Sequence, residues 1–264
     1  MKFVPKSLVE TADASRGSHG WRAFARGCLW TALILGAGYI LLGIAAGLLA
    51  RTIPDPWEAR AFGGAGHALV AGGAGAGEGL GRARAVFERL MAAGSLRDLP
   101  YRLVLIDMDA PNAVAIPGGT VGVTRGLLES VETEEGLAFV LAHELGHHQG
   151  RHSLERLGRG LLLSAALGLL FGGDGPSAVQ SVVGLAESGH SRDQERQADD
   201  FGMRLVHRVY GPNGRFLEFF ENMEKEQMSG AGRWSAFFAS HPLTSERLRA
   251  LRELEDALAP ERPK

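Results

Sequence analysis

Residues 143–147 read H-E-L-G-H. On an α-helix, positions i and i+4 lie on one face, a turn apart. His143 and His147 can therefore present two imidazoles to a single ion. Glu144, the next residue along, can reach a water held by that ion and take its proton. Two histidines one turn apart with a carboxylate beside the first spell a hydrolytic zinc site. Ordinary residue frequencies would produce the five-residue pattern by accident in about one in a hundred chains of this length, so its surroundings must be weighed.

Two histidines do not complete such a site, because catalytic zinc takes three protein ligands and keeps one position open. Cys28 is the single cysteine; no intrachain disulfide can form, and the ligands must be histidines and carboxylates. His152 is one candidate. In the spacing H-E-x-x-H-x-x-G-x-x-H, however, the third ligand position falls on Ser153, and His152 arrives one residue early, about 100° round a helix. His148 and His152 make another i/i+4 pair, but Gln149 stands where a base is needed; both are expected as buried or hydrogen-bonding histidines. Glu195, in SRDQERQADDFG (191–202), offers a carboxylate from a later helix and would give a His2Glu set. The same stretch also reads as a solvated charged face, since Arg192, Asp193, Arg196 and Asp200 lie in it. Asp199, one turn beyond Glu195, could accept the outer N–H of a ligand histidine and fix its tautomer.

These residues need a scaffold. Thr133 suits a helix N-cap, with Glu134 and Glu135 in the first turn, and the metal helix is expected over about 134–152. Before it, YRLVLIDMD (101–109) and NAVAIPGGTVGVT (112–124) are rich in strand formers, and Pro117-Gly118 fits the central pair of a type II turn. They predict a small sheet of about three strands. Leu80, Ala83, Phe87, Leu90 and Met91 form one apolar stripe of a helix beginning near Glu78. Further helices are expected over about 190–209, 213–228 and 243–257, the last with Leu248, Leu251 and Leu254 on one face. Segments 158–173 and 179–186 are very apolar but short for a span; they predict a buried or membrane-touching helical hairpin, with a re-entrant pair as the alternative. The fold class is α+β, mostly helical.

Cys28 to Ala50 is 23 residues without a charge. As a helix it would be about 34 Å long, enough to cross a bilayer core, with Trp21, Trp30 and Trp57 near its ends as interface anchors. A buried core helix is disfavoured because there is no polar stripe, and a cleaved signal peptide because the stretch is long and no A-x-A-like site follows. Lys2, Lys6, Arg16, Arg22 and Arg26 precede it, whereas only Arg51 and Arg60 follow closely. The positive-inside rule then places the N-terminus in the cytoplasm and the rest outside, as for a single-pass protein of a bacterial inner membrane. The expected organisation is a cytoplasmic tail (1–27), an anchor (28–50), a linker (51–77) in a Gly/Ala-rich stretch, a catalytic domain (78–258) and a polar tail (259–264). A net charge of −2 gives no basis for a nucleic-acid partner. No internal repeat or nucleotide-binding loop is present.

Four blocks together resemble the gluzincin metallopeptidase family that includes HtpX, the CAAX prenyl endopeptidases, the mitochondrial Oma proteases and periplasmic relatives. They are NAVAIPGGTVGVTRGLL (112–128), LAHELGHHQGRHS (141–153), ERQADDFG (195–202) and SHPLTSER (240–247). Their order agrees too, and the similarity covers about 100–250. The resemblance implies a zincin-like domain. It implies His143, His147 and Glu195 as ligands of one zinc ion per chain, Glu144 as general base and Asp199 as the partner behind a ligand. The chain departs from the HtpX branch in lacking several clear spans, and from the tetratricopeptide-bearing periplasmic branch in ending soon after the core. It is expected to be a minimal catalytic domain on one anchor.

The chemistry so implied is hydrolysis of peptide bonds in a protein or peptide substrate, with a role in envelope protein quality control implied by the resemblance alone. The strand at 112–116 could pair with an extended substrate, which would read shape more than sequence, or could be plain sheet. His241, held by the following Pro242, has three readings: an oxyanion donor, an occupant of zinc's fourth position that keeps the enzyme inactive, or an ordinary histidine. Arg247 could pair with a carboxylate near the site or lie on a helix surface. A non-catalytic zinc-binding chaperone or assembly factor is the competing function, and Glu144 argues against it because a binding surface needs no base there. A chance motif in a structural membrane protein and a cytosol-facing CAAX-type role are the remaining, weaker alternatives. Oligomeric state, cleavage preference and activation trigger are not encoded legibly.

Overall fold

The computed structural model describes residues 19–64, 78–171 and 189–258, apart from 213, 218, 222, 225–233 and 243. The N-terminal tail before residue 19, the later part of the expected linker, the second half of the apolar hairpin and the C-terminal tail lie outside the described residues.

Helix α1, His19–Thr52, is 34 residues long and is the one described helix long and apolar enough to cross a membrane. It runs past the charge-free stretch at both ends. Its large apolar side chains, Leu33, Ile34, Ile40, Leu41 and Leu48 among them, are exposed, as a lipid-facing surface requires. The opposite, small-residue face packs on α6, His152–Phe171: an added Cβ at Gly43 would touch Arg159, and one at Gly47 would touch Glu155. Within the stretch expected as linker, Asp55–Phe62 forms helix α2, and its Glu58 is buried.

Helix α3, Glu78–Ala93, buries Leu80, Ala83, Val86, Phe87 and Leu90 in the core, with Met91 at its edge. Strands β1 (Arg102–Ile106), β2 (Ala113–Ile116) and β3 (Thr120–Thr124) follow. They form a sheet in the order β1-β3-β2. β1 is parallel to β3, and β2 is antiparallel to it in a hairpin with Ile116 opposite Thr120. The hairpin loop is Pro117-Gly118-Gly119. Gly118 has φ 88, as the third residue of a type II turn needs, and a Cβ there would press on the backbone of Phe62 and Gly63. A short α4, Arg125–Ser130, is capped by Thr124.

Helix α5, Glu134–Gln149, starts on the Thr133 cap, and every residue from Gly136 to His148 is buried. It is the central helix of the core. It ends three residues short of the expected 152. Arg151 takes φ 57, a left-handed conformation that stops a right-handed helix, and α6 restarts at His152. Helix α7, Arg192–Tyr210, opens with a capping box between Ser191 and Gln194 and buries Glu195, Ala198, Asp199, Gly202, Met203 and Val206. The helix expected over 213–228 is helical at 219–221 and 223–224, while 216–217 are turn. Helices α8, Ser235–Ser240, and α9, Ser245–Leu258, close the domain, with Leu248 and Leu251 buried as expected and Leu254 packed on the core edge. The α+β, mostly helical class with a three-stranded sheet holds.

Candidate metal centre

The site exists because α5 and α7 cross very closely. A Cβ on Gly146 would lie 2.8 Å from the Ala198 Cα, and one on Gly202 would lie 3.1 Å from the His143 nitrogen. Small residues at both crossing points let backbones touch, so side chains at and within one turn of each crossing meet across the gap. Those side chains are His143 and His147 on α5, Glu195 and Asp199 on α7.

The Nε2 atoms of His143 and His147 are 3.0 Å apart. Glu195 Oε1 lies 3.4 Å from His147 Nε2, and Oε2 lies 3.6 Å from His143 Nε2. His241, just past α8, completes the group: its Nδ1 is 3.3 Å from His143 Nε2 and 3.2 Å from Glu195 Oε1. One ligand atom from each of these four buried residues falls within 4.8 Å of all the others. His241 is held there by its own N–H donating to Phe237 O and by the Phe237 ring at 5.0 Å. Ser240, before it, donates to Asn112 Oδ1, which ties this loop to the start of β2.

Behind this group, Asp199 Oδ1 faces His143 Nδ1 at 3.0 Å. Arg247 forks onto Asp199, Nε to Oδ2 at 2.9 Å and Nη2 to Oδ1 at 2.8 Å, and reaches Glu195 Oε2 with Nη1 at 2.6 Å. The planar guanidinium thus holds both carboxylates in one geometry. Burial pushes the Glu195 carboxyl up, but the nearby His241 and bonds from His147 and His241 outweigh it and hold the group well below the usual carboxylate range. Burial acts likewise on Asp199, and His143 and Arg247 reverse it. Burial, with the neighbouring His143 and His241, drives His147 well below an ordinary histidine against the pull of Glu195, so it is neutral and able to donate a lone pair.

Two histidines that the spacing did not place there, His152 and His190, stand against His147. His152 Nδ1 is 3.0 Å from His147 Nδ1, and its Nε2 faces Gln197 Oε1 at 3.3 Å. On an uninterrupted helix, position i+5 would be rotated about 140° away; the break at Arg151 brings it back. Gly150 makes room, because a Cβ there would collide with the His152 ring. The His190 ring stacks on His147 with centroids 3.7 Å apart. Burial holds His152 down to about 4. His148 points elsewhere, to Thr120 O at 3.0 Å. Sequence spacing marks His152 only as a misplaced third ligand and as the i/i+4 partner of His148, and it does not mark His190, since the place of each beside His147 depends on a turn.

Glu144 is fully buried, and neither carboxylate oxygen has a hydrogen-bond partner among the described residues; Oε1 lies 3.3 Å from His241 Nε2 without bonding alignment. A buried carboxylate left unbonded is costly. Three carboxylates, Glu144, Glu195 and Asp199, crowd a pocket whose ligand nitrogens converge. The donor set of His143, His147, Glu195 and His241 fits a divalent cation of zinc type. A cavity of about 690 Å³ opens between α7 and α9, lined by His190, Glu195, Asp199, Pro242, Arg247 and Leu251.

A buried pair of helix-borne histidines, a carboxylate from a second helix and a free glutamate define a zincin-type metallopeptidase domain. The chain belongs to peptidase family M48, whose model matches residues 81–255. It is 32% identical over 180 residues to the mitochondrial metalloendopeptidase OMA1 of Schizosaccharomyces pombe, covering 64% of this chain and 50% of that protein. It is 30% identical over 149 residues to the metalloprotease YcaL of Escherichia coli, covering 54% of this chain and 57% of that one. Against a putative beta-barrel assembly-enhancing protease of Vibrio cholerae it is 27% identical over 178 residues, covering 62% and 37%. The chain spans about half the length, or less, of these curated relatives.

Proposed function

We propose that this protein is a membrane-anchored zinc endopeptidase. His143, His147 and Glu195 hold the zinc ion, Glu144 is the general base, and Asp199 and Arg247 fix the ligands. The observation that carries the reading is the convergence of buried ligand atoms beside a glutamate whose oxygens accept no hydrogen bond among the described residues. Zinc, when bound, supplies Lewis acidity toward the scissile carbonyl and the attacking water. Glu144 takes the proton of that water and passes it to the leaving amine nitrogen. Asp199 holds His143, and His152 holds His147, each by its outer nitrogen, so both ligands keep one tautomer. His241, already beside Glu195 and Glu144, either stabilises the oxyanion or takes the fourth ligand position and keeps the enzyme latent. β2 is one of the two edge strands of the described sheet and offers its backbone to an extended substrate. The anchor is α1, the catalytic domain faces the outside of a bacterial inner membrane, and the substrates are misfolded or envelope proteins.

The test uses the full chain and Glu144→Gln side by side, measuring bound metal and casein cleavage. Both are expected to bind one zinc ion per chain, with cleavage in the variant reduced by about 10²–10⁴-fold. Metal in both and cleavage in neither would refute the peptidase reading unless His241→Ala restores activity, which would identify His241 as the latching ligand.

A further inference from the structure

A second, partly buried ionic cluster lies between the end of α1, α2 and the rest of the domain. Arg97, on the connection between α3 and β1, donates from Nη2 to Asp55 Oδ1 at 2.6 Å and to Glu58 Oε2 at 2.5 Å. Arg151 donates from Nη2 to the same Asp55 oxygen at 2.7 Å. The remaining valences reach into the backbone of four different segments. Arg97 Nη1 donates to His148 O at 2.8 Å. Arg151 Nη1 donates to Ala50 O at 3.0 Å and to Ile53 O. Gly118 N donates to Glu58 Oε1 at 3.1 Å, and Asp98 N to Asp55 Oδ2 at 3.1 Å. The side chains of Glu58 and Arg97 are 2% and 8% exposed, so bulk water contributes little to holding them.

The cluster grips one feature that shapes the metal centre, the turn at Arg151, and also the loop of the β2–β3 hairpin. Among the described residues, Arg151 is the one non-glycine residue with positive φ, and its turn is what swings His152 behind His147. That conformation is disfavoured for a residue with a Cβ; the bonds from its guanidinium to Ala50, Ile53 and Asp55 hold it. Glu58, through Gly118, holds the hairpin at the end of β2. We propose that Glu58 and Arg151 are positioning residues for the metal centre, and that the segment 50–62 is a working part of the catalytic domain and not a tether. Without the clasp, Arg151 relaxes, His152 leaves the outer nitrogen of His147, and the ligand loses its fixed orientation, which lowers metal affinity. The proposal rests on the metallopeptidase reading above for its catalytic consequence, but not for its structural one.

The experiment uses the full chain in membranes, with a protease-cleavable sequence inserted between Gly72 and Gly73. After cleavage, the part from residue 73 onward is expected to stay with the membrane pellet, because Arg97 and Arg151 hold it to α1 and α2. Release of that part into the soluble fraction with unchanged activity would overturn the proposal. In the uncleaved chain, Glu58→Gln and Arg151→Gly are expected to release metal to a chromophoric chelator about 10-fold faster or more and to lower kcat with little change in KM. Arg151→Gly keeps the left-handed turn open to the backbone while removing the clasp, and Arg151→Lys is expected to recover part of the loss. Metal release at the original rate in both Glu58→Gln and Arg151→Gly, with only a lower Tm, would also overturn it. Pellet retention and metal release need no peptidase activity, so an inactive protein would sink the proposed function and leave this inference standing. If the uncleaved chain itself fails to sediment with membranes, the anchor reading falls, and metal release decides the rest.

Discussion

The clasp at Asp55, Glu58, Arg97 and Arg151 and the metal centre at His143, His147, Glu195 and His241 both gather ionisable side chains, the centre fully buried and the clasp with Asp55 and Arg151 still 19% and 18% exposed, and they are finished differently. In the clasp, two carboxylates meet two guanidiniums, and each of the four carboxylate oxygens accepts a bond from an arginine or a backbone N–H. In the centre, Arg247 satisfies Asp199 and pairs its charge with Glu195 Oε2, but that oxygen and both oxygens of Glu144 accept no hydrogen bond among the described residues. Histidine nitrogens there face one another instead of facing donors. A buried ionic cluster that is electrically and sterically closed holds a fold together. One that leaves lone pairs aimed at a common point has the form of a binding site.

That contrast can be broken experimentally. The largest effect is expected from stripping the metal with a chelator. A ligand that binds only the native state at about 1,000 times its Kd contributes about 4 kcal/mol, so the Tm of the stripped protein should fall by many degrees and recover on adding zinc. An unchanged Tm would mean that the centre, like the clasp, is closed without a metal. Next comes Asp199→Asn, which keeps the shape but weakens the support behind His143. A loss of about 10–100-fold in metal affinity is expected, measured by competition with a chelator of known affinity; an unaltered affinity would show that Arg247 and the helix crossing suffice. Gly146→Ala is expected to cost about 1–3 kcal/mol by forcing α5 off Ala198, with metal affinity falling alongside stability in denaturant titrations. If stability falls and affinity does not, the close crossing serves the fold and not the site. The smallest effect concerns pH. Burial pushes the Asp55 carboxyl up, but Arg97 and Arg151 hold it below its ordinary value of 3.8. Its contribution to stability is therefore complete above that value and is lost as pH falls through the lower folded value. Membrane retention of the cleaved chain should thus be constant from neutral pH to about pH 5 and weaken only below about pH 4. Loss near pH 6 would point to a histidine and not to the clasp.

Much of the architecture was legible in the residues. The Thr133 cap with Glu134 and Glu135 marked the start of α5, the strand-forming runs around Pro117-Gly118-Gly119 marked the hairpin, and the charge-free run marked the core of α1. These are local signals, set by capping, turn stereochemistry and solvation along one stretch of chain. Helix α2 was missed because eight residues with three charges inside a proline- and glycine-flanked stretch carry no periodicity of their own; Glu58 is buried only because Arg97 and Gly118 come to it. Gly150 was read as part of a helix because glycine is tolerated there, and the left-handed turn at Arg151 has no local signature at all.

The sequence by itself determined which residues could bind a metal and share a helix face, because a period of 3.6 residues fixes the relation of His143 to His147 and of Glu195 to Asp199. Its four ordered blocks also carried the family resemblance. Only the tertiary structure decided that those two faces meet, because the approach of α5 and α7 depends on glycine and alanine falling opposite each other at Gly146, Ala198 and Gly202. It also decided that His152, His190 and His241 surround His147. Each reaches the site by a turn or a loop from another direction, and a one-dimensional pattern contains no term for such a distance.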